Sequence, residues 1–366
     1  MLPLEGLTVI AIEQAVAAPF ATSRLADAGA KVIKIERPEG DFARGYDAVA
    51  KGQASYFVWL NRGKESVVMD LTRPEAKEEL TRMLASADVL VQNLKPGALA
   101  RLGFGFDRLE EEFPKLIVCS ISGYGESGPM ADRKAYDLLI QAESGLCSIT
   151  GGPGEAARVG VSLVDIATGA TAHAAILEAL IRRGITGKGA NIQVSMFDVM
   201  ADWLTVPLLN HEGGKTPRRL GLAHPSIAPY SVFTCKDGKQ ILISIQSDRE
   251  FAKFADVFMG RADMAKDPKF ATNVARVQNR PETDAAVAVA FAAMDADQAT
   301  ERLLAADVAF ASVNDMAGLS EHAQLRRITV ETPNGEVSYP APGMVFVGED
   351  RHYGAVPALA TAGGKA

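Results

Sequence analysis

The sequence contains few cysteines. Only Cys119, Cys147 and Cys235 occur among its 366 residues. They lie far apart and are odd in number, so the chain has neither a disulfide framework nor a zinc-ligand spacing. This use of cysteine is typical of the reducing cytosol, and we expect the protein to be cytoplasmic.

Histidine is scarce as well, and the usual histidine and glycine motifs of enzymes are missing. His211-Glu212 is followed by two glycines, so the metalloprotease pattern H-E-x-x-H is absent. The nucleophile pattern G-x-S-x-G and the phosphate-binding P-loop are absent too. We therefore expect no metal site and no hydrolase triad.

Long apolar runs and a basic N-terminal leader are also missing. Residues 1–7 lack the charged and apolar regions of a signal peptide, and no apolar run has the length expected of a membrane span. The formal net charge of −7, from 38 basic and 45 acidic residues, argues against a general nucleic-acid binder. A local basic pocket for a phosphorylated ligand stays compatible with this charge.

What the sequence does contain is an alternation of apolar strand and helix patterns. Leu7–Glu13, a helix over Phe20–Ala28 and Lys31–Glu36 predict a βαβ opening, and the alternation continues as far as Ser122. This order indicates an α/β fold with a Rossmann-like parallel sheet. The first turn has no glycine, so the dinucleotide fingerprint is missing. The later pattern Gly123-Tyr-Gly-Glu-Ser-Gly128 predicts a turn that lines a pocket.

At 366 residues, two domains are the default. We predict a large domain over residues 1–210, to which residues 321–366 return, and a Gly-, Pro- and Arg-rich linker over residues 211–224. A smaller α+β domain is expected over residues 225–320, beginning with a β-hairpin.

Asp165 stands at the centre of the most informative stretch. The apolar residues Val159–Val164 predict a strand or an extended lead-in, and an Ala- and Leu-rich helix follows as far as Arg183. A carboxylate at such a junction faces the free N–H groups of the helix, so Asp165 is either a helix cap or a nucleophile.

Basic residues cluster where the first strands end. In a parallel sheet, ligands bind beyond the carboxyl ends of the strands, and several cations there suit a polyphosphate. A solvent-exposed charged rim is the alternative interpretation. These residues are Lys34, Arg37, Arg44, Lys64, Lys95, Arg101 and Lys134.

Several motifs, in order, resemble those of class III CoA-transferases, the formyl-CoA transferase and carnitine CoA-transferase family. The resemblance is strong over about residues 3–200. It is carried by Leu25-Ala-Asp-Ala-Gly-Ala-Lys-Val-Ile-Lys-Ile-Glu-Arg-Pro-Glu-Gly-Asp41, Asn61-Arg-Gly-Lys-Glu-Ser66, Ala87-Asp-Val-Leu-Val-Gln-Asn-Leu-Lys-Pro-Gly97, Tyr136-Asp-Leu-Leu-Ile-Gln-Ala-Glu-Ser-Gly145 and Val164-Asp-Ile-Ala-Thr-Gly169.

The resemblance implies that Asp165 is a catalytic nucleophile, which forms a mixed anhydride and then an aspartyl-CoA thioester. It implies an acyl-CoA and an acceptor carboxylic acid as substrates, no tightly bound cofactor, and an interlocked homodimer. The residues that it assigns to coenzyme A are Val16, Arg37, Lys64, Asn93, Leu94, Arg101 and Lys134.

The sequence departs from the family pattern at three places. Tyr136 replaces the histidine of the related α-methylacyl-CoA racemases, which favours transferase over isomerase chemistry. Ala223-His-Pro-Ser-Ile-Ala228 stands where formyl-CoA transferase has a glycine-rich loop, and Tyr353-Gly-Ala-Val-Pro357 replaces a C-terminal Gly-Glu-His-Thr.

The substrate is expected to be a small dicarboxylate of the succinate, mesaconate, citramalate or malate type, transferred between molecules or within one molecule. Tyr136 and His224, with Arg218 and Arg219, are the predicted substrate-pocket residues. A racemase-type isomerase and a non-catalytic CoA-binding protein are the alternatives.

Overall fold

The computed structural model describes residues 2–360. Residue 1 and residues 361–366, the two ends of the predicted large domain, lie outside the described residues. The chain divides into two units. The first comprises residues 1–147, 158–209 and 326–366, and the second comprises residues 148–157 and 210–325.

A six-stranded parallel sheet forms the centre of the first unit. Its strands are β1 Thr8–Ile12, β2 Lys31–Glu36, β3 Lys64–Val68, β4 Val89–Gln92, β5 Ile117–Ser122 and β6 Ala190–Ser195. They are arranged in the order β3-β2-β1-β4-β5-β6, which is the order of a Rossmann-like doubly wound sheet. The predicted fold class is therefore confirmed.

The central strands are buried on both faces. In β1, Val9 and Ala11 pack into one apolar cluster, whereas Ile10 and Ile12 pack into another on the opposite face. Ile10 pairs with Ile33 of β2 on one side and with Leu90 of β4 on the other. Helices therefore have to cover both faces, which explains the continuous apolar runs of the sequence.

The helices of residues 17–212 lie between these strands or follow the last of them. They are α1 Ala17–Asp27, α2 Ser55–Leu60, α3 Pro74–Leu84, α4 Ala98–Arg101, α5 Phe106–Glu112, α6 Asp137–Glu143, α7 Leu146–Ile149, α8 Leu163–Thr186, α9 Met196–Trp203 and α10 Thr205–Glu212. A 3₁₀ turn occupies Phe42–Gly45. Near the end of the chain, β10 Arg327–Val330 and β11 Val337–Pro340 form an antiparallel hairpin of the first unit.

The second unit is built around an antiparallel sheet of β7 Tyr230–Thr234, β8 Gln240–Ser244 and β9 Ala309–Ser312. Its helices are α11 Asp248–Lys253, α12 Asn273–Gln278, α13 Arg280–Ala292, α14 Ala296–Ala306 and α15 Met316–Ser320, with a π-helical turn over Phe254–Phe258. The predicted hairpin is present as β7 and β8. The predicted linker, residues 211–224, lies within this unit.

Residues 148–157 also belong to the second unit, although the sequence predicted them within the large domain. Hydrogen bonds explain their position. The N–H of Gly221 donates to the carbonyl oxygen of Gly151 at 3.0 Å. The Arg219 guanidinium donates to the carbonyl oxygens of Gly152 and Ser148, each at 3.2 Å.

Helix α8 has a length and an apolar composition that would allow it to cross a bilayer, the only such helix among residues 2–360. The expectation that no apolar run is long enough was therefore wrong. In the structure this helix packs mainly along α1. Val164, Ala172 and Ile176 lie within an apolar cluster of the sheet domain, so one face of this helix packs into the core.

Local differences from the prediction occur around α8 and α6. Of the two forms expected over Val159–Val164, a strand or an extended lead-in, no strand is present: residues 159–162 are irregular and lead into the helix, which already begins at Leu163. The single helix expected over residues 137–149 is interrupted at Gly145, whose φ of +91° lies in the left-handed region. Strand β3 begins three residues before the predicted Val67, at Lys64.

Candidate active site

One cavity of the first unit, called the main cavity below, lies where the strand order reverses, at the carboxyl ends of β1 and β4. Asn93, just beyond β4, joins the two strand ends: its side-chain oxygen accepts from the N–H of Gln14 at 3.0 Å, and its amide nitrogen donates to the Gln14 carbonyl at 2.8 Å. The cavity beside this junction has a volume of about 450 Å³. A ligand site at this point follows the general rule for open parallel sheets.

A turn over Gln14–Val16 forms part of the cavity wall. Ala15 has a φ of +63°, which is rare for a residue with a side chain. The buried Asp41 carboxylate accepts a hydrogen bond from the Ala15 N–H at 3.1 Å and receives the Lys34 ammonium at 2.8 Å. These contacts hold the unusual turn in place.

Asp165 lies in the first turn of α8 and lines the same cavity. The expected cap geometry is not present, because Asp165 is three residues beyond the N-cap Ser162. The buried Asp137 carboxylate caps this helix instead. Its Oδ1 accepts from the N–H of Val164 at 2.7 Å and from the N–H of Asp165 at 3.2 Å.

This arrangement raises the pKa of Asp165. Burial of the carboxyl group is the larger cause, and the neighbouring Asp137 carboxylate is the second, so that the pKa rises to about 7. Asp137 also occupies two N–H groups of the first turn of α8, so these groups do not stabilise an Asp165 anion.

Gly169 brings α8 close to the start of α1. A Cβ atom at position 169 would lie 2.5 Å from the Ala17 carbonyl oxygen and 2.8 Å from the Cβ of Phe20. Helix α1 has no side-chain cap and no acidic residue in its first turn, and Val16 and Ala17 line the cavity. The cavity therefore faces a helix N-terminus whose first N–H groups are available to an anion.

Three aromatic residues that the sequence analysis did not single out also line the cavity: Phe42, Tyr46 and Tyr56. The Tyr56 hydroxyl lies 2.8 Å from the Ser162 hydroxyl, and the Tyr46 and Tyr56 rings meet edge to face at 6.0 Å. Burial, together with the negative charges of Asp41 and Asp165, raises the pKa of Tyr46 to about 12. Phe42 and Tyr46 lie on the polar loop after β2, and their aromatic side chains are the sequence feature that could have predicted this part of the cavity wall.

Most of the predicted site residues are brought together. Arg37 lines a second cavity of about 240 Å³, which shares Gln14 and Leu94 with the main cavity. The predicted residues that line the main cavity are Val16, Asn93, Leu94, Arg101, Lys134, Tyr136 and Asp165.

Lys64 does not line either of these cavities. Its fully buried ammonium donates to Glu13 Oε1 at 2.7 Å, to the Pro19 carbonyl at 3.1 Å and to Asn61 Oδ1 at 3.2 Å. Lys34 also pairs with Glu13, at 3.5 Å. We refer to Glu13, Lys34, Asp41 and Lys64 as the buried charge cluster, in which two acidic and two basic groups balance.

His224 lies in the second unit. Its ring stacks on Tyr230 at 5.2 Å, and its carbonyl oxygen accepts from Arg280 at 2.7 Å. The loop that follows is also anchored, since Arg276 donates to the Ala228 carbonyl at 2.6 Å. These contacts fix the segment that stands in place of the glycine-rich loop of formyl-CoA transferase.

Residues 2–360 contain no group of three or more His, Cys, Asp or Glu side chains placed to hold a metal ion. The main cavity instead combines the Asp165 carboxyl group, whose pKa is raised, with a helix N-terminus and several cations. Such a combination suits an anionic substrate with an electrophilic carbon.

Comparison with known proteins identifies the family of the chain. The sequence model described as CoA-transferase family III matches residues 4–359. The chain is 37% identical to the acetyl-CoA:oxalate CoA-transferase of Acetobacter aceti, over 95% of this chain and 90% of that protein. It is 40% identical to the succinate–glutarate CoA-transferase of Agrobacterium fabrum, over 76% of this chain and 72% of that protein.

A solved structure is similar along nearly the whole chain. The crystal structure of a CAIB/BAIF family protein from Brucella suis has a TM-score of 0.84 and 35% sequence identity, covering 98% of this chain and 96% of that one.

The chain therefore belongs to CoA-transferase family III. It is a class III CoA-transferase, an enzyme that transfers coenzyme A between carboxylic acids. The named relatives are CoA-transferases, so the comparisons give no support to the two alternatives, a racemase-type isomerase and a non-catalytic CoA-binding protein.

Proposed function

We propose that the enzyme transfers CoA through covalent intermediates on Asp165. The observation that carries this proposal is that the Asp165 carboxyl group lines a cavity that also contains the uncapped start of α1 and several cations. Among the described carboxylates that line the cavity, Asp165 is the one that lies in the first turn of a helix packed against α1. Asp137 lines it too, but its oxygens are engaged by Val164, Asp165 and Gln141.

The reaction begins when an Asp165 oxygen attacks the thioester carbon of acyl-CoA. The carbon–sulfur bond breaks, CoA leaves as a thiolate, and a mixed anhydride remains. The thiolate then attacks the Asp165 carbonyl carbon of the anhydride, which releases the first acid and leaves an aspartyl-CoA thioester. An acceptor carboxylate attacks this thioester, and the same two steps in reverse yield the new acyl-CoA and free Asp165.

The attacking form of Asp165 is the anion, and its raised pKa has two consequences. At a pKa of about 7, about half of the groups are ionised at neutral pH. Each ionised group is more basic than an ordinary aspartate, and basicity favours attack on a carbonyl carbon. Asp137 thus increases the reactivity of the anion while it reduces the ionised fraction.

The tetrahedral intermediates carry negative charge on the former carbonyl oxygen. Helix α1 begins at Ala17, has no side-chain cap and meets α8 at Gly169. We assign the first N–H groups of α1, at Ala17 and Ala18, to the stabilisation of this oxyanion. A rigid start of α1 is important for this role, and the buried charge cluster beneath the Gln14–Val16 turn supplies it.

Coenzyme A would occupy both cavities, which share the lining residues Gln14 and Leu94. Arg37 would bind at the nucleotide end, in the smaller cavity. Lys95, Arg101 and Lys134 line the main cavity and suit the diphosphate. Asn93 fixes the strand ends between the two cavities.

The acid substrates are proposed to be small dicarboxylates of the succinate, mesaconate, citramalate or malate type, transferred between molecules or within one. Two relatives support this class, since their names state oxalate in one case and succinate with glutarate in the other. Tyr46, Tyr56 and Tyr136 line the cavity and would surround the acyl group with aromatic rings and hydroxyl groups. His224, the other predicted pocket residue, belongs to the second unit and does not line this cavity.

The active form is proposed to be an interlocked homodimer in the cytoplasm. Trp203, Val206 and Leu208 on α9 and α10 are more than half exposed, an unusual state for large apolar side chains. All three cysteines are free, which suits a reducing compartment. Light scattering after size exclusion tests the dimer, because a monomer that retains full activity contradicts it.

The covalent mechanism is tested by mass spectrometry after incubation with acyl-CoA and hydroxylamine. Hydroxylamine converts the anhydride or thioester to a hydroxamate, so the peptide that contains Asp165 should gain this modification. The Asp165→Asn variant serves as the matched control and should stay unmodified and inactive. An active enzyme whose Asp165 peptide remains unmodified would refute the covalent mechanism.

A further inference from the structure

Arg158 lies in the same cavity as Asp165, and neither the sequence motifs nor the family comparison assign it a role. It belongs to the first unit and precedes the short segment Val159–Ser162, which leads into α8. Its side chain is exposed. Within residues 2–360 the Arg158 guanidinium has no hydrogen bond or ion pair.

The segment after Arg158 is fixed beside the Asp137–Asp165 pair. Gln141 Oε1 accepts from the Val159 N–H at 2.8 Å, and Gln141 Nε2 donates to Asp137 Oδ2 at 2.7 Å. At the far end, the Ser162 hydroxyl lies 2.8 Å from the Tyr56 hydroxyl. The backbone next to Arg158 is therefore tied to the residue that caps the helix of Asp165.

The other cations of the cavity have different surroundings. Arg133 is paired with Glu143 at 3.2 Å and stacks over Tyr124. Lys95 and Arg101 follow β4, beside the residues that connect to the second cavity. Arg158 is thus an arginine without a partner, among the described residues, on the segment that leads directly to Asp165.

A dicarboxylate substrate creates an electrostatic problem at this end of the cavity. One of its carboxyl groups reacts at Asp165, and its second carboxylate then lies within a few atoms of Asp165 and Asp137. Like charges at such distances repel each other. A cation is needed to bind the second carboxylate, and the planar guanidinium group matches the two oxygens of a carboxylate.

We propose that Arg158 binds the second carboxylate of dicarboxylate substrates and thereby makes the enzyme prefer dicarboxylic over monocarboxylic acids. This inference rests on the proposed function, in which dicarboxylates react at Asp165. It moves the predicted carboxylate partner from Arg218, Arg219 and His224 of the second unit to a residue of the cavity itself.

The test compares acids that differ only in the second carboxylate, namely succinate with butyrate and glutarate with valerate, using acetyl-CoA as the donor. The measured quantity is the ratio of kcat/KM for the dicarboxylate to kcat/KM for its partner acid. In Arg158→Met this ratio should fall by about 10- to 100-fold, the usual effect of losing a hydrogen-bonded charge pair. Arg158→Lys, which keeps the charge, should recover part of the ratio.

Arg101→Met is the matched control. It removes an arginine of the same cavity that we assign to coenzyme A, so kcat/KM should fall for both acids of each pair and leave the ratio within about threefold of the wild-type value. Thermal unfolding of each variant shows whether the fold is retained.

A ratio that changes by less than about tenfold in Arg158→Met overturns the proposal, whether the activity falls equally for both acids or does not fall. Failure of the proposed function has a different signature. A wild-type enzyme without preference for dicarboxylates, or without hydroxamate formation at Asp165, refutes that function directly. A wild-type enzyme with both properties and an unchanged ratio in the variant refutes only the role of Arg158.

Discussion

The carboxylate of Asp137 caps the helix that carries Asp165, 28 positions later in the chain. One oxygen of Asp137 accepts from the N–H groups of Val164 and Asp165, and the other accepts from Gln141. Asp137 therefore positions the start of α8 and at the same time places a negative charge beside Asp165. These two effects can be separated by experiment.

Replacing Asp137 by Asn should lower the pH at which the enzyme becomes active. Burial and then the Asp137 charge raise the pKa of Asp165 to about 7, so removing that charge lets the pKa fall, by about one unit. The pH profile of kcat/KM reports this ionisation in the free enzyme. Its acidic limb should therefore move to lower pH in Asp137→Asn.

Gln141→Met is the control for this shift. It removes the hydrogen bond from Gln141 to Asp137 and keeps the charge. The variant should loosen the start of α8 without moving the acidic limb downward. Equal shifts in the two variants would show that packing, rather than charge, sets the pKa of Asp165.

Replacing Asp165 by Asn should stabilise the fold at alkaline pH. The folded-state pKa of Asp165, about 7, lies above the ordinary value of 3.8, so folding favours the neutral form. Below about pH 4 Asp165 is neutral in the folded and in the unfolded protein, so its ionisation costs the wild type no stability. As the pH rises through 7, the free energy of unfolding of the wild type falls progressively. The amide side chain that replaces Asp165 in the variant does not ionise, so the variant loses nothing over the same range.

The difference should appear in urea unfolding. At about pH 8 the free energy of unfolding of Asp165→Asn should exceed that of the wild type by about 2 kcal/mol, and at about pH 4 the excess should vanish. A difference that is the same at both pH values would mean that Asp165 is not destabilised by ionisation.

Gly169→Ala should weaken the contact between α8 and α1. The added methyl group would overlap the Ala17 carbonyl oxygen, so we expect a loss of about 1–3 kcal/mol in the free energy of unfolding and a lower kcat. Gly184→Ala is the control on the same helix, because its Cβ meets no atom within 4 Å. That change should stabilise the protein by about 0.5–1 kcal/mol. A well-folded, fully active Gly169→Ala protein would contradict the close approach.

Lys64→Met should act on stability more than on coenzyme A. Its ammonium pairs with Glu13 at 2.7 Å and has no exposed surface, and breaking a buried pair costs about 3–5 kcal/mol. Arg101→Met should do the reverse, with an acyl-CoA KM raised about tenfold and little change in unfolding. The two variants are compared by calorimetric CoA titration and by denaturation. If the Lys64→Met protein is stable but binds CoA much more weakly, then Lys64 contacts coenzyme A, as the resemblance implies.

The strands and the position of Asp165 at the start of a helix were predictable, because both depend on local sequence. Strand β2 spans the predicted Lys31–Glu36, and Asp165 lies at the start of a helix as expected. The predictions that failed concern features that depend on residues distant in the chain. The cap of α8 comes from Asp137, and Lys64 is buried by a pairing with Glu13 that no spacing rule reveals. Arg158 carries no motif, and only its place in the cavity draws attention to it.

The buried charge cluster has a consequence for the response of the enzyme to salt. Its two carboxylates and two ammonium groups sum to zero, and the four side chains lie away from water. Mobile ions screen exposed charges over about 10 Å at 0.1 M ionic strength but scarcely reach buried pairs. Rising ionic strength should therefore weaken the binding of acyl-CoA at the cavity rim. The conformation of the Gln14–Val16 turn and the catalytic rate of the enzyme with bound substrate should stay unchanged.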